Sequence, residues 1–82
     1  MSPSSAEIAA ALLRLAEERG EKTFCPSEIA RGLSPNWRAL MPAIREEAER
    51  LVQAGQLRCC QSEEAASPVL ARGPIRLFRA QR

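Results

Sequence analysis

The sequence predicts a small α+β domain, three helices followed by a β-wing, with a helix-turn-helix at its centre. Three observations carry that reading. The stretch from Thr23 to Gly55 reads as a short helix, a tight turn and a longer helix that ends at glycine. One amphipathic segment precedes it, over Ser5 to Arg19. Two short alternating stretches follow it, Leu57 to Gln61 and Ile75 to Phe78, in the pattern of half-buried strands. No internal repeat or long linker divides the 82 residues, so the chain is read as one domain, 1–82, with a loose N-terminus at 1–3.

The first helix has its start written in Ser4 and Glu7, spaced as a capping box, so that each side chain satisfies an orphan N–H of the other's backbone. Ile8, Leu12, Leu15 and Ala16 recur at helical spacing, with Ala9 and Leu13 widening the stripe. Gly20 is a helix stop. Glu21 to Phe24 is expected to be extended, with room for a short edge strand.

The second helix is expected to start after Cys25 at N-cap, with Pro26 at N1 and Glu28 at N3. Proline suits N1 because its missing N–H would be unpaired there in any case. Phe24 and Ile29 are spaced for a hydrophobic staple. Cysteine caps poorly, so Glu28 is assigned most of the capping. Leu33-Ser34-Pro35-Asn36 forms the turn, and Asn36 is the expected cap of the third helix. Trp37, Leu40, Met41, Ile44, Ala48, Leu51 and Val52 make its apolar face. Pro42 leaves two alternatives. Either the helix starts at Trp37 and Pro42 interrupts it, or a separate turn covers Trp37 to Met41 and Pro42 is N1 of the main helix. Gly55 ends the helix. Leu57 and Cys59 then alternate with Arg58 and Cys60. Ser62 to Ala71 reads as a loop, and Ile75 and Leu77 alternate with Arg76 and Phe78 as the second wing strand. Leu12, Ile29, Ile44, Leu51, Leu57 and Leu77 are the expected core.

Composition limits function. There is no histidine, so Ser–His and Cys–His catalytic pairs are excluded. No glycine-rich phosphate loop is present. Glu46, Glu47 and Glu49 are expected to be a solvated surface, as are Glu63 and Glu64. Three cysteines, two of them adjacent, suit neither a disulfide framework nor a zinc site, and point to reduced thiols in a cytoplasm. Cys59 is assigned to the core. Cys25, at a helix N-terminus, is read as a cap and packing group rather than a redox-sensitive thiol. No metal, cofactor, small-molecule substrate, membrane contact or enzymatic activity is expected. No signal peptide or membrane span is apparent.

Twelve basic and ten acidic groups leave a net charge of +2, a weak polyanion signal by itself. A helix-turn-helix nevertheless places its second helix in the major groove, reading bases with its N-terminal part. With Ile44 inward, Ala39, Pro42, Glu46, Glu49 and Gln53 project outward, with Arg38 and Arg45 together on one flank and Arg50 on the other. Arg72, Arg76, Arg79 and Arg82 make the C-terminal end the most basic part of the chain. The candidate nucleic-acid contacts are thus Asn36, Arg38, Arg45, Arg72, Arg76 and Arg79, with duplex DNA as the expected partner. The alternative is a protein-interaction module on the same scaffold, suggested by the neutral balance of the third helix. Trp37 has two readings: a stacking surface for a base or partner, or a core anchor.

The segments FCPSEIARGL, WRALMPAIREEAERL and ARGPIRL resemble a family of short bacterial winged-helix domains of unknown function. CPSEIAR, WRALMP and RGPIRL are the most distinctive parts, and the resemblance runs from Phe24 onward. It implies a winged helix-turn-helix fold and carries over no catalytic or binding residue.

Overall fold

The computed structural model describes residues 3–62 and 64–80. The expectations for Met1, Ser2, Glu63 and Arg82 therefore lie outside the described residues. Helix α1 spans Ser5–Arg19, α2 Pro26–Leu33 and α3 Trp37–Gln53. Strand β1 covers Leu57–Gln61, β2 Glu64–Ala65 and β3 Arg76–Arg79. The three strands form one antiparallel sheet in the order β2-β1-β3. This is an α+β fold in a winged-helix-like arrangement.

Local chemistry accounts for the helix ends. Ser4 Oγ accepts from the Glu7 N–H at 3.1 Å while Glu7 Oε1 accepts from the Ser4 N–H at 3.3 Å. At α2, Pro26 occupies N1 and the Glu28 carboxylate accepts from the Cys25 N–H at 3.1 Å. The Cys25 thiol makes no capping bond, so the capping falls to Glu28 and the thiol instead accepts from Arg76. Phe24 and Ile29 are both buried, as a staple requires. The end of α3 is a Schellman motif. Gly55, at φ 78°, donates to the Val52 carbonyl at 3.0 Å and Gln56 donates to that of Leu51 at 2.9 Å.

Asn36 departs from expectation. It stands at the N-cap of α3, but its side chain makes no capping bond. Its φ of −92° and ψ of 53° lie outside the extended region in which a cap side chain reaches the first turn. Its N–H instead donates to Ser34 Oγ at 3.1 Å. The two alternatives for Pro42 resolve in favour of one helix from Trp37, with Pro42 inside it on the exposed side.

The six expected core residues are all buried. Ile8, Ala16, Phe24, Ala30, Leu40, Ala48, Cys59 and Ile75 complete the core with them. Phe24 also ties the segment before α2 to the sheet, exchanging two backbone hydrogen bonds of 2.8 Å with Leu77. The wing has a third strand that the sequence reading left in a loop. Gln61 pairs with Glu64, so the chain reverses between them, and Ser62 there takes a φ of 52°. Ordinary signals for such a tight reversal are glycine or asparagine, and neither is present.

Candidate nucleic-acid interface

The candidate face is built on the α2–α3 turn. Trp37 opens α3 half-buried and packed against the core. The guanidinium carbons of Arg31 and Arg38 each lie over its indole, 4.5 Å from the ring centroid. Arg31 comes from the last turn of α2 and Arg38 from the first turn of α3, and both residues are exposed. Among the described residues, no carboxylate pairs with either. Trp37 thus serves as core anchor and cation platform together. Around it, Pro35, Asn36, Ala39, Pro42 and Ala43 are exposed.

Arg45 has a different task. Its Nη1 donates to the carbonyls of Pro68 and Ala71 at 3.2 and 3.0 Å, and its Nη2 donates to that of Gly73 at 2.7 Å. A planar guanidinium can serve three carbonyls at once. Ser67 Oγ donates to Glu49 at 2.5 Å and accepts from the amides of Val69 and Leu70. Gln61 Nε2 donates to the Arg72 and Pro74 carbonyls. The 66–75 segment is therefore tied to α3 and β1 along its length. Its apex presents Val69 and Leu70, 48% and 81% exposed.

Arg76 and Arg79 also have partners within the molecule. Arg76 donates to Thr23 Oγ1 at 3.0 Å, to the Thr23 carbonyl at 3.2 Å and to Cys25 Sγ. Arg79 pairs with Glu17 at 3.1 Å. Arg72 is exposed, and its carbonyl accepts from Gln61 Nε2. Of the six residues singled out in the sequence, Asn36 and Arg38 thus gather at the head of α3 with Arg31, which sequence reasoning passed over. Arg45 ties α3 to the wing segment and Arg72 stands on that segment, while Arg76 and Arg79 tie the sheet to the segment before α2 and to α1. Arg31 meets Trp37 only through the packing of α2 against α3, a tertiary contact with no local signal in the sequence.

The acidic run on α3 is not the solvated surface expected. Only Glu46 is exposed. Glu47 is buried at 8% exposure and meets Arg50 at 3.4 Å. Glu49 is half-buried, accepting from Ser67 and from Gln53 Nε2 at 3.1 Å. Glu47 and Glu49 are thus engaged within the fold, while Glu46 and Glu64 stay exposed.

Two groups titrate away from their ordinary values. The Glu28 carboxyl is lowered, first by the Cys25 N–H and then by the Arg19 guanidinium at 2.6 Å. Burial, with Cys60 beside it, pushes the Cys59 thiol up to about 11, which keeps it protonated as a core group. All three cysteines are free thiols. Among the described residues, no group of three or more acidic or cysteine side chains is placed to hold a metal. None of their helices is long and apolar enough to cross a membrane.

The architecture and this face define a small winged-helix-like α+β domain, with a cationic aromatic platform at its helix-turn-helix. The chain belongs to the DUF3253 family, proteins of unknown function, whose model matches residues 5–80. The match takes in α1 as well as the stretch from Phe24 onward. No curated protein matches the chain.

Proposed function

We propose that this domain is a bacterial, cytoplasmic DNA-binding module that meets duplex DNA with the head of α3 and the adjoining wing. The observation that carries the reading is the exposed Arg31–Trp37–Arg38 cluster at the N-terminal end of the second helix of the helix-turn-helix. That is the end such motifs direct at a groove. Arg45 supports it from a second side. It lies seven residues from Arg38, on the same flank of α3, and anchors the wing segment there. The exposed Arg72 stands between Ala71 and Gly73, whose carbonyls Arg45 holds. Bacterial origin rests on the family resemblance. Cytoplasmic location is supported by three free thiols.

The module is proposed to have no catalytic role. It lacks histidine, and Glu28, Glu47 and Glu49 are engaged in capping, pairing or tethering. A protein-interaction module is the second reading, favoured by the exposed Val69 and Leu70 on a tethered wing apex. Fluorescence anisotropy with random-sequence duplex DNA at two salt concentrations separates the two. DNA binding predicts an affinity that falls steeply with salt, and Arg38→Gln or Arg72→Gln flattening that dependence. Absence of salt-sensitive binding at low ionic strength would leave the protein-interaction reading.

A further inference from the structure

We infer that Arg31 and Arg38, held on Trp37, form a two-cation clamp for the sugar–phosphate backbone of duplex DNA, so that the domain grips DNA without reading its sequence. The inference rests on the DNA-binding reading above and specifies what the site recognises.

The first support is the state of the two guanidiniums. Each is stacked on the indole, and no side-chain hydrogen bond or carboxylate occupies either among the described residues. Stacking uses the face of a guanidinium and leaves its N–H edge to fork onto an anion. Trp37 is packed on the core, so the platform is fixed before binding and less ordering is needed to form the contact. Glu28, the carboxylate nearest Arg31 in sequence, is engaged by Arg19 and the Cys25 amide. Two like charges are thus held close together at one exposed turn, which favours a ligand carrying negative charges in series.

The second support is the rest of the exposed face of α3. Direct readout uses Arg, Lys, Asn or Gln against base edges. Beyond Arg38 the exposed residues of this helix up to its midpoint are Ala39, Pro42, Ala43 and Glu46. None of the first three can donate a hydrogen bond to a base, and Glu46 opposes deep entry into a phosphate-lined groove. Asn36 precedes the helix and is the sole amide side chain at its head. Phosphate contacts position a protein without carrying sequence information, and here they are nearly all the face offers. A carboxylate-rich peptide could fill one fork. Duplex DNA is favoured because the exposed Arg72 adds a further cation on the wing segment that Arg45 ties to α3.

The test is anisotropy over a salt series with two duplexes of equal length and unrelated sequence, using the wild type, Arg31→Gln, Arg38→Gln and the double variant. Both substitutions are at exposed positions, and thermal melting checks that the fold survives. Each single variant is expected to flatten the log–log salt slope by about 0.9, and the double variant by about 1.8, equally for both duplexes. Trp37→Phe, which keeps an aromatic face, is expected to retain most of the slope that Trp37→Leu loses. Salt-sensitive wild-type binding with slopes unchanged in the arginine variants would overturn the clamp and leave the DNA-binding reading standing. So would a preference for one duplex exceeding about tenfold, or competition by a poly-glutamate peptide as effective as that by DNA. Absence of wild-type binding to either duplex would overturn both.

Discussion

Arg45 shows how far a single residue can depart from the role its position suggests. On a helix projection it pairs with Arg38 along one flank, as a phosphate contact would. In the fold it is half-buried and gives its donors to three carbonyls of the wing segment. The sequence could not disclose this, because those carbonyls come from residues 23 to 28 positions away. Arg45→Ala is expected to cost about 1–3 kcal/mol, the usual penalty when charged hydrogen bonds leave carbonyls unserved. Hydrogen exchange should show Val69, Leu70 and Ala71 losing protection, with the salt slope of DNA binding flattened no further than in Arg72→Gln. Arg45→Lys should not rescue protection, since an ammonium lacks the planar fork. Glu28 offers a second test at this scale. Its folded pKa is depressed, so its contribution is present above the ordinary value of 4.5 and is lost as pH falls through the lower folded value. The carboxylate is exposed, so the contribution is small. Acid unfolding followed by circular dichroism should find that Glu28→Gln is less stable than wild type at neutral pH, with the gap closing below pH 4.5.

Elements were the most legible scale, because their signals are local. Ser4 with Glu7, Pro26 with Glu28, and Gly55 each mark a helix end by chemistry that acts within a few residues, and the structure uses all three. What escaped was set by tertiary contact: the short β2, which depends on pairing with β1, and the uncapped head of α3, whose backbone follows the Ser34–Asn36 turn. The glycines of α2 and the α3 terminus make opposite predictions. Gly55→Ala forces a side chain into φ 78° and should destabilise by about 1–2 kcal/mol. Gly32 sits inside α2 with open space where a Cβ would go, so Gly32→Ala should stabilise by about 0.5–1 kcal/mol. Thermal melts of the two variants should shift in opposite directions.

At the scale of the whole molecule, the core predicted from periodicity is the core found, since apolar spacing reports burial directly. Ile44 is fully buried within it, and Ile44→Ala should cost about 2–5 kcal/mol in denaturant titration. A change below about 0.5 kcal/mol would contradict the assigned inward face of α3. The interface was less legible than the core. Charge count alone could not separate the arginines that hold the wing and sheet together from those that face solvent. Among the described residues, that separation leaves Arg31 and Arg38 exposed without an ion pair at the helix-turn-helix and Arg72 exposed on the wing. Titrating the isotope-labelled domain with random-sequence duplex DNA, and following amide and indole N–H chemical shifts at low salt, tests this surface directly. Shifts are expected at the Trp37 indole, at residues 31–43 and at the wing apex, all reversed by added salt. An unchanged spectrum, or shifts confined to the exposed side of α1, would contradict that expectation.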